Sequence, residues 1–330
     1  MASESYVAPG GMSVYPECRD TDRVNRRDFL TQSCGVVAVL AASGIAEGRT
    51  EAAESQPAQA TLPTIELGKH RVTRLIAGYN PIGGHSHTTL NMARHMREYF
   101  TAEQTAEFLL HCEREGINTW QYDHTDKVLE ALRIAREKGC GLQLICLHAE
   151  RPQDAPLDEV MTQKPIAIVH HGGVTDGLFR GGQAEKVHDF VKKVHDHGAL
   201  AGVSSHCPDN IKRIADEGWE SDLFMTCFHY VTRPQDEMQE KFGTVTVGEP
   251  FFESDRDDMA AVVRQVKQPC LGFKILAAGR RCWDTGSVEK AFQYAFDNVK
   301  KTDAVIVGMF PRYADEVKEN ADLTRKHGVI

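Results

Sequence analysis

From residue 64 onward, short apolar runs alternate with amphipathic stretches all along the chain. Eight runs, at 74–79, 118–122, 142–147, 166–169, 200–204, 223–228, 271–276 and 304–307, have the length and composition of strands buried on both faces. The stretches between them read as helices with recognisable ends. Thr101 with Gln104 forms a capping box and Gly116 closes that helix, while Ser254 starts another that carries Asp255, Asp257 and Asp258 in its first turn. Pro208 stands at a helix start after Cys207, and His197-Gly198 ends the helix that begins near Gln183. Eight strand-then-helix units in about 270 residues fit a (β/α)8 TIM barrel in number and length. A doubly wound sheet is the competing arrangement, but no GxGxxG follows the first strand. Residues 64–73, with Leu67-Gly68-Lys69 at the bend, predict a β-hairpin that plugs the N-terminal end of the barrel. The 230–253 connection is longer than an ordinary loop, and such loops in barrels cover the site.

Ahead of the barrel the pattern changes. Asn25-Arg26-Arg27-Asp28-Phe29-Leu30 precedes the uncharged run 34–46, too short to span a bilayer and ending in small residues. It reads as a twin-arginine export signal over 1–46, followed by a polar tether at 47–61 with the composition of a disordered linker. A single catalytic domain at 62–330 would then be periplasmic or otherwise exported, with no stable membrane span once the signal is removed.

Charge narrows the partners. The 330 residues carry 38 Lys plus Arg against 47 Asp plus Glu, a net charge of -9, with no basic block to track a phosphate backbone. Nucleic acid is therefore excluded in favour of a small molecule. Nine cysteines without a CxxC pair give neither a disulfide framework nor a zinc ribbon.

The 15 histidines change the picture more, because of where they fall. Strand ends converge on the mouth of a barrel, where barrel enzymes do their chemistry. The first run leads into Gly83-Gly84-His85-Ser86-His87, the second ends in Asp123-His124 and the third at His148. The fourth ends His170-His171-Gly172-Gly173, the fifth Ser204-Ser205-His206 and the sixth His229. Lys274 sits in the seventh, as an anion-binding group, a carbonyl-polarising group or one half of an ion pair. Asp123, His148, His170, His171 and Lys274 are the candidate catalytic groups. His124, His148, His171, His206 and His229 are the candidate ligands of a divalent zinc, manganese or iron. The alternative is that the histidines move protons without a metal. His188, His195 and His197 share one helix and read as a solvated face.

Several segments resemble the aldo/keto reductase superfamily. LGKHRVTRLIAGYNPIGG at 67–84 is similar to its opening hairpin and first strand, GALAGVSSHCPDN at 198–210 to its strand ending in Ser-Ser-His, and FKILAAGR at 273–280 to its seventh strand. The resemblance implies a TIM barrel and NADP, with Arg312, Glu319 and Asn320 in VIVGMFPRYADEVKEN (305–320) placed to hold the nucleotide. It also implies a tetrad of Asp, Tyr, Lys and His, which this chain meets only in part. Gln121-Tyr122-Asp123 stands for Asp-Thr-Ala, Asp126-Lys127 falls where the tyrosine should be, His148 falls near the lysine, and His170 or His171 matches the histidine. Three functions follow. The first is a metal-assisted isomerase, lyase or hydrolase acting on a sugar-like or hydroxy-carbonyl compound, with Asp123, His148 or His206 as base; the second is an NADP-linked oxidoreductase with a rearranged proton donor. The third is a ligand-binding barrel without catalysis.

Overall fold

A computed structural model describes residues 61–330; the expected export signal over 1–46 and all but the last residue of the expected linker over 47–61 lie outside the described residues. β1 (Thr64–Leu67) and β2 (His70–Thr73) form the antiparallel hairpin, with Gly68 at φ +59 in its turn, a conformation that glycine adopts without a Cβ penalty. Eight parallel strands follow: β3 (Leu75–Gly78), β4 (Thr119–Asp123), β5 (Gln143–His148), β6 (Ala167–His170), β7 (Leu200–Ser205), β8 (Leu223–Cys227), β9 (Cys270–Phe273) and β10 (Ala304–Gly308). β10 pairs with β3 and closes the barrel. The chain is thus a (β/α)8 TIM barrel with a preceding hairpin, and among the described residues no helix is long and apolar enough to cross a membrane.

The period-two alternation of each strand sorts side chains between two apolar layers. Ile76, Ile145, Val169, Leu223, Met225, Leu271 and Ile306 fill the barrel and meet Ile65, Leu67 and Val72 of the hairpin, which plugs its lower end. Trp120, Tyr122, Cys146, Ile168, Val203 and Phe224 belong to the second layer, under the helices. Arg74 ties the lower rim together: its buried guanidinium donates to the carbonyl oxygens of Asp303 at 2.8 Å, Gly328 at 2.9 Å and Lys300 at 3.0 Å.

The helix ends follow the sequence with two differences. Thr101 Oγ accepts from Gln104 N at 3.2 Å, but the Gln104 amide donates to Tyr99 rather than back across a box. Ser254 precedes α10 (Asp255–Gln265) without capping it, and the Asp255 carboxylate accepts from the backbone of Tyr230 and Phe252 instead. The larger departure is the seventh barrel strand. It stops at Phe273, and Lys274, Ala277 and Ala278 follow at φ +58, +49 and +51. Left-handed conformations cost non-glycine residues of order 1 kcal/mol each and cluster where a site fixes the backbone. Lys274 therefore stands in a turn at the mouth and not within a strand.

Candidate active site

Strand phase divides the histidines at the mouth. His148 continues the outward side of β5: its Nε2 meets the Ala155 carbonyl at 2.8 Å, its Nδ1 accepts from Glu150 N at 3.2 Å, and its ring stacks on Phe190. His170 lies against the same Phe190, which comes from α7 (Glu185–Asp196), and its Nδ1 bonds Thr175 Oγ at 2.7 Å. Burial pushes the His170 imidazole down to about 3, so it is neutral. His124 approaches Glu159 of α5 (Leu157–Met161) at 3.4 Å. These three candidates occupy the layer between strands and helices.

His171 and His206 fall on the inner phase, continuing Val169 and Ser204 upward. The centre they share is organised by a residue that sequence reasoning passed over, Asp176 in α6 (Gly172–Arg180). Its buried carboxylate accepts from His206 Nδ1 at 2.8 Å, His206 N at 3.2 Å, Ser205 Oγ at 2.5 Å, Thr232 Oγ at 2.7 Å and Asn210 Nδ2 at 3.1 Å. Burial alone would raise the Asp176 carboxyl, but the bonds from His206, Ser205 and Thr232 hold it below the usual range. Burial also lowers His206, and Asp176 only partly reverses this. The imidazole is neutral with its proton on Nδ1, and Nε2 has no hydrogen-bond partner among the described residues. Gly172 lets the start of α6 press onto this pair: a Cβ there would stand 2.8 Å from Ser204 Oγ and 3.1 Å from His206 Cε1.

Other groups surround the dyad. Phe273, next to Lys274, holds its ring 5.5 Å from that of His206, and the Lys274 ammonium lies 5.1 Å from the Phe273 ring. Burial, with Arg151, His206 and Lys274 nearby, lowers His171 to about 4. Asp123 leaves one carboxyl oxygen buried without a partner, and burial pushes it up to about 7 against the pull of Arg151. The 230–253 connection, which contains α9 (Gln235–Phe242), crosses the mouth as the sequence suggests. Glu249 meets His87 Nδ1 at 2.7 Å, and Phe251 lies between His229 and the Arg280 guanidinium. His229 is buried beneath this strap with both nitrogens unpartnered, and burial lowers it to about 4.

Two cofactor expectations change. Among the described residues no group of three or more His, Cys, Asp or Glu side chains is arranged to hold a metal ion. The five expected ligands are divided: His124 and His148 lie in the outer layer, while His171, His206 and, two steps past Met225 and Cys227, His229 under the strap follow the inner phase. The nucleotide residues are separated too. Arg312 is exposed over Tyr99 and Tyr313, whereas Asn320 is buried in α12 (Glu316–His327). Asp315 accepts from Lys318 N at 3.0 Å and Glu316, on the same helix as Glu319, accepts from Phe310 N at 2.7 Å. A nucleotide phosphate arriving there would meet carboxylates already bonded to the local amides. The helical histidines behave as a solvated face, paired as His188–Glu220, His195–Asp222 and His197–Asp158.

No protein-family model matches the chain, and no curated protein matches it in sequence. Among solved structures, Gox0644 in complex with NADPH aligns over 80% of this chain and 88% of that one, at 13% identity and a TM-score of 0.47. The glycerol dehydrogenase of Gluconobacter oxydans aligns over 80% and 95%, at 11% identity and a TM-score of 0.43. The N-acetylmannosamine-6-phosphate 2-epimerase of Clostridium perfringens aligns over 76% and 90%, at 13% and 0.42. These are likenesses of barrel scaffold, at a level at which no activity passes from one chain to another.

Proposed function

We propose that this barrel is an enzyme that moves a proton on a small hydroxy-carbonyl compound, by isomerase or lyase chemistry, with His206 as the base. The observation that supports this is the buried Asp176–His206 pair at 2.8 Å on the inner phase of the mouth. Asp176 accepts the Nδ1 proton, fixes the tautomer, and stabilises the imidazolium that forms when Nε2 takes a proton from carbon. Asp123, whose carboxyl titrates near 7, supplies the acid that protonates the carbonyl oxygen as charge builds on it. α6 begins at Gly172, packed against Ser204 and His206, so the positive end of its dipole favours the same developing negative charge. His171, neutral at physiological pH, bonds substrate hydroxyls rather than moving the proton.

Proton transfer to and from carbon can be followed before the substrate is known. The protein is incubated in D2O with dihydroxyacetone, glyceraldehyde, hydroxypyruvate and tartronate semialdehyde, and deuterium beside the carbonyl is read by NMR. The expected result is exchange with one or more of these that falls about 100-fold or further in His206→Gln. Exchange that persists in a folded His206→Gln protein refutes the assignment of the base.

The same reading places the protein outside the cytoplasm, on the strength of Arg26-Arg27 and the run behind them. Fractionation of cells producing the whole chain tests this. The natural sequence is expected in the exported fraction, and an Arg26→Lys, Arg27→Lys double variant in the cytoplasm. Equal distribution of the two would remove the export proposal.

A further inference from the structure

The chain carries a net charge of -9, yet the loop after β9 brings two cations to the mouth that form no ion pair among the described residues. Arg280 donates to the carbonyl oxygens of His87 at 2.9 Å and Ala277 at 3.3 Å and lies over Phe251. The Lys274 ammonium makes neither an ion pair nor a hydrogen bond among the described residues, and rests by the Phe273 ring at 5.1 Å. Its backbone is held at φ +58, a conformation that lysine does not adopt by preference and that aims the residue out of the strand line. The residue is half-buried, and its ammonium is free to pair with an incoming anion. Two other cations near the mouth have carboxylate partners: Arg151 pairs with Asp154, and Arg281 with Glu253.

Glu249 of the strap, bonded to His87 at 2.7 Å, is an acid from another element that feels the charge of Lys274. Burial would raise Glu249, but His87, Lys274 and His206 together hold it low, so it is ionised and lies in the field of both the cation and the base. The strap carries a carboxylate over the place where a carboxylate is missing.

We propose that the mouth takes a substrate bearing a carboxylate, a sugar-sized hydroxy or oxo acid, whose anion pairs with Lys274 while its carbon acid faces His206. This deepens the acid–base reading and rests on it for the orientation of the substrate. Glu249, restrained by His87, guards the position and competes with the incoming anion. A single ammonium on a flexible stem suits one carboxylate. Arg280, the other cation of this loop, is already bonded to the carbonyl oxygens of His87 and Ala277 rather than held open for the three oxygens of a phosphate.

Binding is measured by isothermal titration of the whole protein with D-glycerate, tartronate, inorganic phosphate and the uncharged analogues dihydroxyacetone and glycerol. The carboxylates are expected to bind and the uncharged compounds to bind at least about tenfold more weakly. Lys274→Met should weaken the carboxylates about 10- to 100-fold, as loss of a charge-assisted bond does, and Lys274→Arg should restore part of it. Glu249→Gln should tighten them about threefold, on the scale of one exposed charge. Melting curves confirm that each variant is folded. Equal affinity for acids and uncharged compounds, affinity unchanged in folded Lys274→Met, or tighter binding of phosphate than of any carboxylate each overturns the proposal. Failure of the base assignment looks different, because His206→Gln would then leave exchange intact while the carboxylates still bound through Lys274.

Discussion

Replacing Asp176 by Asn tests the centre of the site, since the change is nearly isosteric and removes charge and one acceptor. Five donors converge on the carboxylate, two of them on Oδ1 (Ser205 Oγ and Asn210 Nδ2) and three on Oδ2 (His206 N, His206 Nδ1 and Thr232 Oγ). An asparagine can aim its NH2 at either set. Toward Oδ2 it faces His206 Nδ1–H and a backbone N–H, and toward Oδ1 it faces the Asn210 amide across 3.1 Å. One donor pair is opposed either way, and the bonds that survive lose their charge assistance. Hydrogen bonds to a charged group are worth about 1.5–3 kcal/mol and a buried unsatisfied donor costs about 1–3 kcal/mol, so the expected loss is about 3–4 kcal/mol. In a barrel of this size that lowers the melting temperature by about 6–12 °C. Urea unfolding should show a lower midpoint at unchanged slope. The pH dependence carries a second signature. Asp176 is held below its unfolded value near 3.9, so its stabilisation is complete above that value and is lost as pH falls through the folded one. The gap between natural protein and variant should therefore close below about pH 4. A gap under about 1 kcal/mol at pH 7, or one that stays constant down to pH 3, would refute the reasoning.

Three further outcomes follow from the same contacts. Gly172→Ala should cost about 1–3 kcal/mol in urea unfolding, because its Cβ meets Ser204 and His206 at 2.8 and 3.1 Å, and it should lower proton exchange; a neutral variant would show that α6 yields freely. Asp123 has a folded value near 7, above its unfolded one, so it binds its proton more tightly when folded and stability falls as pH rises from about 4 to 7. Asp123→Asn should flatten that slope in melts taken at pH 5 and pH 8, and an unchanged slope counts against it. Asp255→Ala should cost about 1–3 kcal/mol, since it removes one of the two carboxylates on the buried Arg233, Glu237 being the other, and leaves the Tyr230 and Phe252 amides without their acceptor; urea unfolding measures it, and a loss under about 0.5 kcal/mol would show the strap independent of the pair.

The barrel was legible in the sequence because each of its strands is buried on both faces and reads as a short continuous apolar run. Eight such runs at regular spacing leave few architectures, and the hairpin announces itself by a glycine turn. The seventh strand shows where that signal fails. CLGFKILAAG is apolar throughout apart from one lysine, yet only Cys270–Phe273 pairs with neighbours, and Ile275 turns away into the outer apolar layer. An apolar run shows that a segment is buried but not that its backbone stays extended. The three left-handed residues that end this strand are held by their surroundings, and composition carries no trace of them.

The histidines were counted at strand ends, but position along a strand matters less than phase, because a one-residue step reverses the face. Phase was within reach. In β7, Gly202 sits inside the barrel, where a Cβ would meet Leu223 and Val169 at 2.9 Å. Steps of two from it lead to Ser204 and then His206, inward. In β5, Ile145 and Leu147 face inward with the barrel cluster, so His148 must face out. In β6, Val169 does the same for His170 and leaves His171 on the inner side. A run of His-His therefore always divides its pair between two layers. Six strand ends rich in histidine do not all face one cavity, since His124, His148 and His170 turn outward. Asp176, three residues past Gly173, was left out of the candidates for the converse reason: it lies in the first turns of α6, past the strand, and the helical step brings it back over His206. An Asp a few residues beyond an inward strand end deserves the same weight as a residue in the strand itself.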